Sequence, residues 1–331
     1  MDSYKDYLTK GYYYKTKRHS SFFYLKLSIR NFKLLINSIS LLNYTFKIKY
    51  FFLFFGLIFK KKLFLNNDGS FISFLENKLN DHIFYTSVIP SSNHKKDLIL
   101  ICGSKKKYIV KISRESKFNN LIKYEYINTK TLNIYKNFFY SPVIAHKGYF
   151  KNKFFFIINY VEPSYANRSS IEFNYQNSVK VNSSLYNSKK LKYHPFIKNL
   201  INDLTNSPFK YLKTDFQRII DLNKYNYLVV ENHGDFISEN IVIYKKKIIL
   251  LDYESIIKKG IEGLDIIHFY FHLFYFKFKI PFRLFLHLIR YKLHHKFYDI
   301  IIIYFLHRII SRSKEGYKVN NELLFLKYLL N

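Results

Sequence analysis

The chain has 331 residues, enough for one two-lobed domain or two modest ones, and 48% of them are hydrophobic, ample for a core. Its formal net charge is +31, and its single cysteine, Cys102, excludes an internal disulfide. The longest apolar runs, at 50–59 and 300–306, fall short of the roughly twenty residues a membrane-spanning helix needs, and the first twenty residues are too polar for a cleavable signal peptide.

Residues 1–75 read as a basic, aromatic N-terminal extension. The first twenty are polar and loose. Phe32, Leu35, Ile36 and Ile39 then follow helical spacing. An apolar stretch at 51–59, flanked by Lys47, Lys49 and Lys60-Lys61-Lys62, reads either as a helix packed on the core or as an anchor lying in a membrane surface. Asn66-Asn67-Asp68-Gly69-Ser70 is a break.

Residues 83–88, 97–102 and 108–112 read as three strands, joined by a turn-rich loop at 90–96 and a tight turn at Gly103-Ser104-Lys105. Cys102 closes an apolar run, the setting of a small buried residue. Val110-Lys111-Ile112 places one Lys inside an apolar strand, where it faces water or reaches into a cleft; Lys107 is the alternative. Residues 117–136 read as a helix, from the spacing of Leu121, Tyr124, Ile127 and Thr131, and Glu125 is the only acidic residue within it. Surface pairing with Lys123 or Lys130 fits that carboxylate equally well.

Stretches 139–150 and 154–161 read as two more strands. Residues 164–193 have no periodicity and read as a loop. Helical patterns follow at 196–206 and 209–223, and a short strand at 227–230 leads into His233. Beyond Asp265 an aromatic tract, divided by Pro281, reads as packed helices. His287, His294 and His295 lie there, but the adjacent pair points apart on a helix and no third ligand matches, so a metal reading is rejected.

The most informative segment is His233-Gly234-Asp235-Phe236-Ile237-Ser238-Glu239-Asn240, followed by Leu250-Leu251-Asp252-Tyr253-Glu254. Phosphoryl transfer needs a carboxylate to orient a hydroxyl and take its proton, an amide oxygen on a magnesium ion, and a second carboxylate between metal and phosphates. Asp235, Asn240 and Asp252 supply those types in that order. Apolar runs at 241–243 and 248–251 read as a hairpin that brings Asn240 beside Asp252. The spacing is that of protein kinases, with Gly234 in place of their Arg and Glu254 in place of their Gly.

Those departures resemble the aminoglycoside phosphotransferase and choline kinase group. His233-Gly234-Asp235 matches the phosphotransferase form, and Asp252-Tyr253-Glu254 the form of choline kinases and of phosphotransferases of bacterial surface-polysaccharide clusters. Gly263-Leu264-Asp265-Ile266-Ile267-His268-Phe269 resembles the pattern that follows in such proteins. The resemblance implies an α+β, two-lobed protein-kinase-like fold: a small antiparallel-sheet N-lobe at 76–162 and a mainly helical C-lobe at 163–331. It implies ATP and magnesium as cofactors, with Asp235 as catalytic carboxylate and Asn240 and Asp252 as metal ligands. Lys111 would hold the phosphates and Glu125 would position Lys111. Backbone groups at Tyr160, Val161 and Glu162 would meet the adenine. The loop at 90–96 would take the place of the nucleotide-covering loop in position only, since it lacks the glycines of protein kinases. Its backbone N–H groups and Lys95 or Lys96 would meet phosphates, and a surface hairpin loop fits equally well. His233 and Asp265 would brace the catalytic loop. Glu254 would touch a metal, the acceptor or a neighbour in its own lobe. Without the Arg that a phosphorylated activation loop grips, activation by phosphorylation is not expected.

The expected activity is transfer of the γ-phosphoryl group to a hydroxyl of a small molecule, with a sugar or glycolipid intermediate of the cell envelope favoured. A choline/ethanolamine-type or aminoglycoside kinase is the alternative, though 54 basic against 23 acidic residues suit a polycation poorly. A second alternative is a non-catalytic basic protein that binds membrane or RNA. Lysines spread along the whole length, scarce Arg, no Trp, 9 Gly and 6 Pro fit an A/T-rich genome better than a nucleic-acid partner. A cytoplasmic location follows for an ATP-using enzyme, with peripheral contact at an anionic membrane as the sharper reading of the extension.

Overall fold

A computed structural model of the chain describes residues 7, 11–18, 21–26, 62–65, 69–90, 95–131, 139–161, 171, 187–244, 247–292 and 298–330. The elements begin with β1 (Gly11–Arg18), β2 (Ser21–Lys26), β3 (Lys62–Leu65), α1 (Ser70–Leu79), β4 (Ile83–Pro90), β5 (Lys96–Gly103), β6 (Lys107–Ser113) and α2 (Asn119–Thr131). They continue with β7 (Phe139–Tyr140), β8 (Ile144–Phe150), β9 (Lys153–Asn159), β10 (Ser188–Lys190), α3 (Pro195–Thr205), α4 (Lys213–Leu222) and β11 (Asn226–Asn232). The last are β12 (Ile241–Tyr244), β13 (Lys247–Leu250), β14 (Ile257–Ile261), α5 (Leu264–Phe271), a π-helical turn (His272–Lys277), α6 (Phe282–Lys292), α7 (Tyr298–Lys314) and α8 (Asn320–Leu330). They fall into two compact units, 1–132 with 141–165 and 242–254, and 133–140 with 166–241 and 255–331. The hairpin segment 242–254 groups with the first.

The first unit is an antiparallel sheet in the order β3-β1-β2-β4-β5-β6-β9-β8. Side chains alternate across its pleat, so each strand serves two layers. Val88, Ile99, Ile101, Val110, Ile112, Phe155 and Ile157 face one way and bury Phe71, Ile72 and Leu75 of α1. Each of those three side chains contributes roughly 1.5–3 kcal/mol by leaving water. On the other face Phe154, Phe156 and Ile158 receive Ile122 and Tyr126 of α2. Cys102 is buried there, as expected, and burial pushes its thiol up to about 11.

Three expectations need correction. Residues 11–18, 21–26 and 62–65, read as loose or helical, are strands: Tyr, Phe and Thr suit a pleated surface, and β2 pairs with β4 at Tyr24↔Val88. The helical pattern at 32–39, the stretch at 51–59, Glu162 and the pair His294-His295 lie outside the described residues. Second, α2 is a helix, but Leu121, Tyr124 and Ile127 are exposed, and the inward face is Ile122, Glu125, Tyr126 and Thr129. Third, the expected strand at 139–150 is broken, because Pro142 lacks the N–H a ladder requires.

The second unit is mainly helical. A short sheet, β10-β11-β14, carries one loop of the candidate site, and the aromatic tract beyond residue 265 is its core. Phe271 meets Phe305 edge-on with ring centres 5.0 Å apart, and Phe282 stacks on Phe325 at 3.9 Å. Residues 300–306 are all buried in α7. Among the described residues no helix is long and apolar enough to cross a membrane.

Candidate active site

Five charged side chains converge in the first unit. Strands β5 and β6 pair with Lys96 opposite Ser113 and Leu98 opposite Lys111, which puts both lysines on the face that α2 covers. Glu125, on the inner side of α2, is 1% exposed. Its two oxygens divide between the lysines: Oε1 accepts from Lys111 Nζ, and Oε2 accepts from Lys96 Nζ at 3.1 Å. The fourth member is Asp252, whose Oδ1 accepts from Lys96 Nζ at 2.7 Å and from Lys111 Nζ at 2.9 Å. Glu254 Oε2 lies 2.9 Å from Lys96 Nζ.

Asp252 reaches the cluster through a left-handed backbone, φ 64°, a conformation that a short polar residue tolerates at a cost of about 1 kcal/mol. The next residue anchors the turn. Tyr253 is buried, its carbonyl accepts from Asn128 Nδ2 at 3.2 Å, and its hydroxyl accepts from Ser141 Oγ at 3.0 Å. Burial would raise the Asp252 carboxyl, yet Lys111 and Lys96 hold it well below the usual carboxylate range. Burial would likewise lower Lys96, but Asp252, Glu125 and Glu254 raise it well above its ordinary value. Glu125 is raised, because burial outweighs its lysines. Oxygens of Glu125, Asp252 and Glu254 all lie within 4.8 Å of one another, a hard donor set suited to a divalent cation.

The second unit holds the other candidates in the loop after β11. Gly234 has φ 78°, and a Cβ there would lie 2.0 Å from the Ser255 carbonyl oxygen, so only glycine fits. Asp265, buried at the first turn of α5, clamps the loop. Its Oδ2 accepts from His233 N at 2.7 Å and its Oδ1 from Gly234 N at 3.0 Å. His233 is fully buried with its ring against Phe236.

Asp235 is held at both carboxylate oxygens. Oδ2 accepts from Asn240 Nδ2 at 2.8 Å, and Oδ1 lies 3.3 Å from His268 Nε2. Asn240 also donates to the Asp235 carbonyl at 3.0 Å, so its amide nitrogen is spent here and its Oδ1 is the atom suited to a cation. His268 Nδ1 meets the Tyr304 hydroxyl at 2.9 Å. Burial is the main cause that pushes this phenol up to about 12. The π-helical turn braces the far end of the loop: Lys277 Nζ donates to Ser238 Oγ at 3.1 Å, and Lys277 and His272 each lie 3.6 Å from a Glu239 oxygen.

The structure thus brings Asp235, Asn240, His233 and Asp265 together in one unit and Lys111, Glu125 and Asp252 in the other. Lys107, the alternative lysine, lies over the Tyr160 ring at 5.7 Å instead. At the expected adenine-facing segment, Tyr160 N donates to the Lys107 carbonyl at 2.9 Å, because β9 continues its pairing with β6. The Tyr160 ring joins Tyr85, Leu100, Cys102 and Ile109 in an apolar patch on the lysine face of the sheet. Val161 follows as irregular backbone. Sequence reasoning missed the place of Lys96 in the cluster and the contacts of His268 and Tyr304. Lys96 was visible only as one of two loop lysines expected to meet phosphates, and His268 only as part of a pattern.

No protein-family model matches the sequence, and no curated protein does. Among solved structures, the chain is similar to a candidate fructosamine-3-kinase from Haemophilus somnus 129PT, with TM-score 0.50 and 13% identity over 78% of this chain and 96% of that one. A second candidate fructosamine-3-kinase, from Thermobifida fusca, gives TM-score 0.49 at 10% identity over 79% and 96%. A thermostable mutant of aminoglycoside phosphotransferase APH(4)-Ia, in a complex with ADP and hygromycin B, gives 0.47 at 9% identity over 79% and 95%. The first likeness places the chain in the α+β kinase-like fold, with a sheet-rich first unit and a mainly helical second one.

Proposed function

We propose that the chain is a phosphotransferase that moves the γ-phosphoryl group of ATP to a hydroxyl of a small molecule. The observation that carries this reading is the Lys111–Glu125 pair gathered onto Asp252. A strand lysine tied to a helix carboxylate and to the aspartate after a β-hairpin is an arrangement suited to polyphosphate. In this reading residues 76–162, with the hairpin segment 242–254, serve the nucleotide, and residues 163–331 serve the acceptor. The apolar patch of Tyr85, Leu100, Cys102, Ile109 and Tyr160 takes the adenine face. Lys111 neutralises phosphate charge, and Glu125 fixes the ammonium.

Magnesium would suit the carboxylate of Asp252, and the amide oxygen of Asn240 is the donor of that kind in the second unit; a bound ion would supply charge neutralisation at phosphate oxygens. Asp235 orients the acceptor hydroxyl. As the acceptor oxygen bonds to the γ-phosphorus and the bond to the bridging oxygen of ADP breaks, the hydroxyl proton passes to the Asp235 carboxylate. An ordinary carboxylate is a weak base, so positioning is its larger contribution. The grip of Asn240 and His268 on the two oxygens of Asp235 supports that role. Asp265 and His233 keep the loop in shape.

For the acceptor we favour a sugar or glycolipid hydroxyl. The Asp252-Tyr253-Glu254 resemblance supports it, as does the name of the Haemophilus somnus structure, which points to a sugar-derived substrate. Choline, ethanolamine and aminoglycosides are the competing acceptors, and peripheral contact with an anionic membrane stays part of the glycolipid reading.

The test has two parts. Melting with and without Mg·ATP should show stabilisation, and a panel of hydroxylated acceptors should show one that drives ADP release. Asp235→Asn should then lose turnover by at least about a thousandfold while keeping the Mg·ATP stabilisation. Full activity in that variant would overturn the assignment. Steeply salt-dependent RNA or vesicle binding without nucleotide stabilisation would favour the non-catalytic reading.

A further inference from the structure

We propose that Lys96 is a second phosphate-binding ammonium, which shares with Lys111 the task of anchoring the nucleotide's polyphosphate. The inference deepens the phosphotransferase reading and rests on it.

Lys96 opens β5 and Lys111 lies in β6, and the register puts both on the face covered by α2. Both are nearly buried, 4% and 6% exposed. A buried ammonium costs several kcal/mol unless its donors are met, and an apolar side chain of similar length would serve a merely structural purpose at least as well. Lys96 instead directs its three donors to three carboxylates, Asp252 at 2.7 Å, Glu254 at 2.9 Å and Glu125 at 3.1 Å.

The sharing is the second element. Asp252 Oδ1 accepts from both lysines, and Glu125 gives one oxygen to each. Glu125 therefore holds the two ammoniums on the two oxygens of a single carboxylate. The carboxylates outnumber the ammoniums three to two, so the cluster as it stands repels an anion. Once Asp252 serves a divalent cation, the balance turns positive, and both ammoniums have donor capacity to turn toward phosphate oxygens. With Lys111 alone that balance would be neutral. Lysine suits this duty: it is a compact charge on a flexible stem with rotatable donors.

Calorimetric titration with Mg·ATP and with adenosine tests this without any acceptor. Lys96→Met should weaken Mg·ATP binding about tenfold or more, as expected for loss of one charge-assisted contact, and leave adenosine binding unchanged. Lys111→Met alone should keep measurable Mg·ATP affinity, and the double variant should lose it. Lys96→Gln, of similar length and without charge, replaces the Met variant should that fail to fold. Mg·ATP affinity equal to the natural protein's in the Lys96 variant overturns the proposal. So does an equal loss for Mg·ATP and adenosine, which marks a structural tie. A natural protein that binds no Mg·ATP at all sinks the phosphotransferase reading itself, a distinct outcome.

Discussion

In the first unit, five ionised side chains from β5, β6, α2 and the turn after β13 hold one another with few neutral partners. In the second, Asp235 is fixed by an amide and an imidazole, and its loop by two backbone N–H groups on Asp265 and by a glycine that no other residue can replace. Under the proposed function the contrast separates two tasks. A polyphosphate site must carry charge and can tolerate mobile donors. A carboxylate that orients a hydroxyl must keep its direction, and hydrogen bonds at both of its oxygens fix that direction.

The sharpest way to break the comparison is Gly234→Ala. The added carbon meets the Ser255 carbonyl at 2.0 Å in a left-handed backbone, and we expect a loss of roughly 3 kcal/mol in urea unfolding. A loss under about 1 kcal/mol would show a loop that relaxes and is not rigidly directed.

Acid probes the packing of the second unit. Burial holds His307 at about 4, below its ordinary 6.5, with the nearby His268 adding to the effect; Lys314 and Arg308 lower it further, while Asp203 opposes. The unfolded chain takes up that proton first. Stability from this residue is therefore intact at pH 7 and lost as pH falls through 6.5 toward 4, on the order of 2 kcal/mol given its partial exposure. Unfolding at pH 4.5 and 7 should show a shallower loss for His307→Gln, and an unchanged slope would remove His307 from the account.

The smallest expected effect is the most diagnostic. His268→Ala should lower kcat by about tenfold and leave Mg·ATP affinity unchanged, because it frees one oxygen of Asp235. Changes at Lys96 or Lys111 should move affinity instead. A His268 variant that loses nucleotide affinity and keeps kcat would erase the distinction.

How much of this could be read from the amino acids depends on how local each cause is. Asp235 and Asn240 were legible because five positions of chain set their meeting, and the hairpin before Asp252 follows from two apolar runs and a lysine turn. Glu125 was legible as the lone carboxylate of its helix, but the apolar spacing around it pointed to the wrong face. Phe154 and Phe156, across the sheet, decide that α2 turns Ile122 and Tyr126 inward, and no pattern within the helix carries that information. Lys96 looks like any lysine at the end of a strand. Only the register with β6 and a partner 156 positions away in the chain give it a place. Tyr304 reaches His268 across 36 positions, equally beyond local pattern. The strands at 11–26 were missed because charge masked their aromatic and Thr content.

The pairing of β2 with β4 bears on how the protein behaves in solution. Without it, β4 would end the sheet and present a row of bare amides and carbonyls, the kind of open border along which copies of a chain zip together. Among the described residues the N-terminal strands move that border outward to β3, a strand of four residues that begins with Lys62. Short length and a lysine both discourage further addition. Strands β1, β2 and β3 thus form a selvedge along that side of the sheet.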